Sequence, residues 1–469
     1  MKDLLIDIDS ITNALSNRDI LKTFVIDAKT GKDFSYKDIY TMAYQFSCYL
    51  TANSIKRMVL RMDNSINLFI SYFAGIYANT IVIPVDVKKS EFEIEWIAKE
   101  NCAEIFTESR LVEILRQQQE CFFDGRSFFE KADFDKPYLI TYTSGSTGEP
   151  KGVIHSLRSL FLSAVAFGNA LHYQEDDVFM HTMPMTYMAG ILNSIFLPFI
   201  MGCKIVLYER FSMTSAFGFW SAAEKYLVNI FWLAPTMLRI LSKLDPEGKM
   251  RDIFARRNIT ISVGTERLDL DLRNEIKNKY DVKIYQSYGL SETLFISTEI
   301  KEDNNIGNSS GRILQGCDLS FGNDGEIIVS VPWLFLGYVG MNKYNEKFYK
   351  TGDLGEYKNG LLFIKGRKKN LIIRGGININ PKDIEIAIKN HFPVLECVVF
   401  SSGKAGTELV CCWYESKELL CLRDVNQYLQ DKLGKNMSVN LLKKIDVIPR
   451  LTNLKIDMQK IKEIAQEEV

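Results

Sequence analysis

The sequence predicts an α/β protein of two or more domains. Three observations carry that expectation. Residues 35 to 140 alternate helix-like and strand-like segments, the pattern of largely parallel sheets layered with helices. The length of 469 residues exceeds what one ordinary core encloses. A loop rich in glycine and hydroxyl side chains then follows directly on an apolar strand, as an anion site requires.

Taken in order, Ser35 through Leu50 has apolar residues at helical spacing, and Arg57 to Arg61 reads as a strand. A second helix, Ile66 to Asn79, leads into the buried strand Thr80-Ile81-Val82-Ile83-Pro84-Val85. Tyr138-Leu139-Ile140 is a short strand, and Thr141 to Gly152 follows it. That stretch holds five Ser/Thr hydroxyls, three glycines and Lys151. Glycines let the backbone turn its N–H groups inward, the hydroxyls add donors, and Lys151 adds a point charge for phosphate. A Gly/Ser linker would not be docked on a strand and closed by Pro150-Lys151-Gly152. A P-loop is excluded by spacing: Gly145 and Gly148 are too close, and Lys151 is followed by Gly152 rather than Ser or Thr.

Composition narrows the classes. Hydrophobic content of 46% and charged content of 25% are those of a soluble globular protein. A net charge of −1 gives no electrostatic reason to expect nucleic acid or a membrane surface as partner. The acidic start lacks a signal peptide's basic region, and no apolar run approaches the roughly 20 residues of a membrane span. Nine cysteines without a Cys-x-x-Cys read as reduced thiols, so a cytoplasmic location is expected. Adjacent Cys411-Cys412 reads as strand packing. The four histidines show no metal-ligand spacing.

Further along come His181 to Gly190, an apolar helix to Met201 and the strand Lys204 to Tyr208. Asn229 to Pro235 and Ile259 to Leu268 supply two more strand-like stretches. Tyr285-Gln286-Ser287-Tyr288-Gly289-Leu290-Ser291-Glu292-Thr293 carries legible chemistry: an aromatic face for a purine, a hydroxyl for phosphate and a hard oxygen ligand for Mg²⁺. Gly325 to Val331 reads as a strand and Tyr349 to Gly355 follows, then Gly366-Arg367-Lys368-Lys369-Asn370. After Ile372 to Pro381 come a helix (Pro381 to Asn390), strands (Leu395 to Ser401, Leu409 to Tyr414), a helix (Leu422 to Leu433) and a strand (Lys444 to Ile448). Pro449 to Asp457 closes the series.

Five of these stretches, in this order from about residue 35 to 460, resemble the signature motifs of the adenylate-forming superfamily. Its members are acyl- and aryl-CoA synthetases, peptide-synthetase adenylation domains and firefly luciferase. The resemblance implies a large N-terminal domain, residues 1–367, of α/β layers with mainly parallel sheets and a small β-subdomain. It also implies a small mobile C-terminal α+β domain, residues 368–469, with a hinge near Lys369.

The implied activity is ATP-dependent activation of a carboxylic acid to an acyl-adenylate, then transfer to a thiol of CoA or a carrier protein's phosphopantetheine. Thr143, Ser144, Gly145, Ser146, Thr147, Gly148 and Lys151 form the phosphate loop. Tyr288 stacks on adenine beside Gly264 and Gly289, Ser291 reaches the α-phosphate, and Glu292 holds Mg²⁺. Asp353 accepts from the ribose hydroxyls and Arg367 reaches ribose or phosphate. Gly375 and Gly376 enter for the thiol step, and Lys455 is the adenylation lysine.

The acid pocket falls on Tyr187, Ala189, Gly190 and Asn193 from one segment, with Trp232, Val263 and Ser287 from the other walls. Departures from the family pattern bear on the substrate. Tyr187 stands at a usual histidine position, and Val263 to Leu268 replaces a small-residue run. Leu454 precedes the lysine where glycine is usual. Ala189 stands where amino-acid-activating members carry an Asp, and a buried ammonium without a carboxylate is costly, so a standard α-amino acid is disfavoured. The expected substrate is a small carboxylic acid. Two alternatives remain: a stand-alone loader of a carrier protein, even with an atypical amino acid, and a degenerate nucleotide-binding member.

Overall fold

The computed structural model describes residues 7–118, 123, 129, 132–143, 150–303, 307–374, 377–402, 409–451 and 456–467. Ser144, Gly145, Ser146, Thr147, Gly148, Gly375, Gly376 and Lys455 lie outside the described residues. Contacts divide the chain into two compact units: Met1–Asp318 with Val329–Tyr349, and Leu319–Ile328 with Lys350–Val469. The expected 367/368 boundary falls inside the second unit, between the strand Leu361–Arg367 and the 3-10 turn Lys368–Asn370.

The first unit is α/β, as its alternating pattern implies. Among the described residues, one sheet has the order Gly337–Tyr338, Lys151–Ser156, Pro137–Thr143, Ile81–Val85, Arg57–Arg61 and Glu104–Thr107. Its last four strands are parallel, and the first three pair antiparallel. A nine-stranded sheet centres on parallel strands that include Ile230–Leu233, Thr260–Val263 and Ile284–Leu290, with antiparallel pairs toward its ends. Local chemistry sets the helix ends. Ser35 and Asp38 form a reciprocal cap on Tyr36–Ala52, and Asn79 ends Ile66–Ala78 in the left-handed region at φ 48°. Between the helices an aromatic core closes, with Phe24 stacked on Tyr36 at 4.3 Å and Phe73 edge-on to Phe199.

One segment differs from its expectation. The single helix expected up to Met201 is Met188–Ile191, then a π-helical turn Leu192–Phe196, then Leu197–Met201. Pro198 has no N–H to return to the preceding turn, so a regular α-helical ladder cannot run through it.

The second unit contains a four-stranded sheet, Asp318–Phe321, Glu326–Ser330, Tyr349–Lys358 and Leu361–Arg367. It also contains an α+β segment in which Val394–Ser402, Leu409–Ser416 and Leu441–Lys444 form a sheet beside Pro381–His391 and Leu422–Leu433. The strand expected at Lys444 to Ile448 instead ends at Lys444. Leu441 to Lys444 pair in parallel with Cys411 to Tyr414, and Ile448 turns into a second cluster with Phe400 and Trp413. Cys412 packs with Val399 and Tyr414, whereas Cys411 packs with Val398 and Trp413 on the opposite face. Strand alternation keeps the two thiols apart, which accounts for their role as packing.

Candidate active site

Within the first unit, the site is built on the hairpin of Pro137–Thr143 and Lys151–Ser156. Its last pair is Thr143 opposite Lys151. Gly152 is required by packing. A Cβ there would lie 2.6 Å from Val339 Cγ2 and 3.0 Å from Tyr142.

The second motif folds as the strand Ile284–Leu290, a turn through Ser291 to Thr293, and the antiparallel strand Leu294–Thr298. Gly289 is needed where these strands meet, since a Cβ would fall 2.0 Å from the Leu294 carbonyl oxygen. Tyr288 lies within the strand, opposite Ser297.

Three contacts fix the turn. His155 Nε2 donates to the Ser291 carbonyl at 2.6 Å, and the carbonyl can only accept, so the proton is on Nε2. The Phe335 N–H donates to the Glu292 carbonyl at 2.9 Å. The Tyr338 hydroxyl donates to Glu292 Oε1 at 2.9 Å. Lys151 Nζ lies 5.6 Å from the centre of the Tyr338 ring, so one residue contacts both the loop lysine and the turn carboxylate. Burial lowers the His155 pKa to about 4, leaving a neutral ring that donates at ordinary pH.

His155, Tyr338 and Tyr349 were not singled out from the sequence. His155 was readable in part, because it stands four positions after Lys151 on an extended strand and therefore shares its face. Tyr338 carries no local signal, since its partners lie 46 and 11 residues away in the chain.

The expected acid pocket resolves into two groups. Trp232 is 2% exposed and packs against Phe167 and Phe295 with ring centres at 5.2 and 5.5 Å. A Cβ on Gly264 would lie 3.1 Å from both Trp232 Cζ2 and Ser287 Oγ, so the structure brings these three residues together. Ser287 Oγ donates to the Val263 carbonyl at 3.3 Å. Next to Gly264, Thr265 adopts φ 71°, an unusual conformation for a β-branched residue.

In the other group, the Gly190 N–H donates to Tyr187 O at 2.9 Å, and His181 Nε2 donates to Gly190 O at 3.1 Å. A Cβ on Gly190 would lie 2.0 Å from the Pro184 carbonyl oxygen. Ala189 precedes it in the same helical turn, and Asn193 is buried in the π-helical turn.

In the second unit, Arg367 Nε pairs with Asp353 Oδ1 at 2.9 Å across antiparallel strands, with Asp353 4% exposed. Lys369 sits in the turn Lys368–Asn370. The Asn380 side-chain amide donates to the Lys365 carbonyl at 2.6 Å, bridging the two sides of that turn. Residues 375–376 are flanked by the paired strands Ile372–Arg374 and Ile377–Ile379. Residues 452–455 are flanked by the bridge Arg450 to Ile456. Arg450 also pairs with Glu396 at 2.7 Å, and Lys389 with Arg450 holds the Glu396 carboxyl down at about 2 despite its burial.

Among the described residues, no group of three His, Cys, Asp or Glu side chains gathers to hold a metal. Glu292 offers one carboxylate, and Mg²⁺ held with a nucleotide uses one or two carboxylates together with phosphate oxygens, so the residue fits such a site. No helix among the described residues is long and apolar enough to cross a membrane.

Comparison with known proteins agrees with this architecture. A family model described as AMP-binding enzyme matches residues 14–339. The malonate–CoA ligase of Arabidopsis thaliana is 26% identical over 72% of this chain, and the chain spans 63% of that protein. The 2-succinylbenzoate–CoA ligase of Listeria monocytogenes serotype 4b (strain F2365) is 24% identical over 92% of this chain and 95% of its own length. ATP-bound MatB from Rhodopseudomonas palustris superposes with a TM-score of 0.84 at 20% identity, covering 98% of this chain and 99% of that one. The o-succinylbenzoate CoA synthetase from Bacillus subtilis, solved with its acyl-adenylate OSB-AMP, gives 0.81 at 22% identity, over 96% and 97%. The two-domain adenylate-forming fold is thereby shown.

Proposed function

The chain belongs to the AMP-binding enzyme family, and we propose that it activates a small carboxylic acid with ATP and passes the acyl group to a thiol. The observation that carries the reading is the hairpin and turn brought together in the first unit. There Lys151 and Glu292 both contact Tyr338, so a phosphate-facing cation and a hard carboxylate are held by one residue.

The substrate carboxylate attacks the α-phosphorus of ATP, the bond to pyrophosphate breaks, and an acyl-adenylate forms. That step needs in-line positioning and charge neutralisation more than a nucleophilic side chain. Lys151 and the loop N–H groups take the phosphates, and Ser291 donates to the α-phosphate. Lys455 spans the carboxylate and α-phosphate oxygens as charge builds. Bound through Glu292, Mg²⁺ would supply further charge neutralisation at the phosphates. Tyr288 provides a stacking face for adenine beside Gly264. Asp353, oriented by Arg367, accepts from the ribose hydroxyls.

A thiolate then attacks the acyl carbon, and AMP leaves. CoA is the acceptor favoured here, because the relatives named above are CoA ligases. The pocket reading follows Trp232, Gly264 and Ser287, which lie together, so that a large indole there would shorten the pocket. With Ala189 offering no carboxylate for an ammonium, the acid is small and lacks an α-amino group. Residues 1–367 act as the body and 368–469 as the moving part about Lys369, in the cytoplasm.

AMP release with CoA, compared with a phosphopantetheinyl carrier protein, tests the acceptor. AMP formed only with the carrier protein would favour the stand-alone loader. No AMP with either, from any small acid, would overturn the activation reading.

A further inference from the structure

We infer that Tyr338 is a positioning residue that sets the metal-binding carboxylate of Glu292 and seats Lys151 at the same time. The inference rests on the reading above, which assigns Glu292 to Mg²⁺.

Tyr338 lies in the two-residue strand Gly337–Tyr338, which pairs antiparallel with Lys151–Ser156 through Gly337 opposite Ile154 and Tyr338 opposite Val153. Leu336 N donates to Ile154 O at 2.8 Å and Val339 N to Gly152 O at 2.9 Å, so hydrogen bonds flank it on both sides. Its backbone is therefore fixed on the strand that carries Lys151. From there its hydroxyl reaches Glu292 Oε1 at 2.9 Å and stands 3.2 Å from the Tyr349 hydroxyl.

Each phenol has one proton to give, and an ionised carboxylate only accepts. Tyr338 therefore donates to Glu292 and Tyr349 donates to Tyr338, a directed relay in which each bond strengthens the next. The relay uses Oε1, and a carboxylate keeps further lone pairs for a cation. The same short segment also holds the Glu292 main chain, through Phe335 N at 2.9 Å.

The ring does a second job, with Lys151 Nζ 5.6 Å from its centre. An uncharged phenol contacts the anion and the cation without neutralising either, and both keep their charge for ligands. Partners that orient a ligating carboxylate commonly matter 10- to 100-fold in metal affinity, which sets the scale expected here.

The test is Mn²⁺ binding to the full chain in the presence of ATP, followed by water-proton relaxation. Tyr338→Phe should weaken Mn²⁺ by about tenfold while ATP binds without metal as in wild type, because the ring under Lys151 remains. Saturating Mg²⁺ should restore its pyrophosphate exchange rate. Tyr338→Leu, which removes the ring as well, should also weaken metal-free ATP. Tyr349→Phe should shift Mn²⁺ in the same direction by less, and it decides the matter if Tyr338→Phe does not fold. Unchanged Mn²⁺ affinity in a folded Tyr338→Phe, or in Tyr349→Phe when that variant decides, would overturn the inference. A wild-type chain that binds no Mn²⁺ with ATP would instead overturn the activation reading beneath it.

Discussion

His155 Nε2 and the carbonyl of Ser291 stand 2.6 Å apart, joining the strand that begins at Lys151 to the turn that carries Glu292. His181 makes the equivalent bond to Gly190 in the pocket segment, and burial lowers both rings to about 4. In the unfolded chain each ring returns to about 6.5. Between these values the unfolded chain takes up protons that the folded chain refuses. Their contribution is therefore fully present above pH 6.5 and is lost as pH falls toward 4, up to about 3 kcal/mol per ring. Urea midpoints should drop between about pH 7 and about pH 5, and His155→Gln should reduce the slope. Equal midpoints at the two pH values would show that neither ring is buried neutral.

Asp353→Ala should weaken ATP and AMP. The carboxylate is 4% exposed and oriented by Arg367 at 2.9 Å, so in the proposed ribose role its loss would remove a fixed acceptor for two hydroxyls. Hydrogen bonds to a charged group are worth roughly 1.5–3 kcal/mol, which predicts about a tenfold loss or more. Calorimetric titration reads it directly. Unchanged affinity removes Asp353 from the nucleotide site.

Trp232→Ala should move acid preference toward longer or bulkier substrates, because the indole closes on Gly264 and Ser287. The same change opens a cavity against Phe167 and Phe295 and costs about 3–5 kcal/mol in stability. Comparing rates across acids of rising length within the one variant separates selectivity from stability. A uniform loss across the series would show that Trp232 is core and not pocket.

Much of this was legible in the sequence because it rests on local chemistry. The helical stretch from Ser35, the strand Arg57–Arg61 and the helix Leu422–Leu433 follow from the spacing of apolar residues. What was not legible depends on distant pairing. The strand at Leu441–Lys444 is chosen by the edge it joins, and the π-turn at Leu192–Phe196 is a register effect next to Pro198. The site divides in the same way. Lys151, Ser291 and Glu292 sit in recognisable runs, whereas Tyr338 gains its role only when a two-residue strand docks beside Lys151. Gly289 is placed by the resemblance beside the adenine of the nucleotide site. Its necessity in the fold comes from Leu294 on the facing strand.

Lys455 and Gly376 should serve different half-reactions. Lys455→Ala should abolish pyrophosphate exchange, with a loss of about 10²–10³ in rate, yet still transfer acyl groups from chemically made acyl-adenylate. Gly376→Trp should retain exchange and block transfer to the thiol. Folded variants that lose both half-reactions equally would rule out alternation.

The measurement that bears most directly on the account is incorporation of labelled pyrophosphate into ATP across a panel of short aliphatic, hydroxy, aryl and amino acids. The account predicts exchange that depends on acid and Mg²⁺, strongest with a small acid lacking an α-amino group and abolished by Lys455→Ala. Nucleotide binding without exchange for any acid would contradict it, and exchange confined to α-amino acids would contradict its substrate.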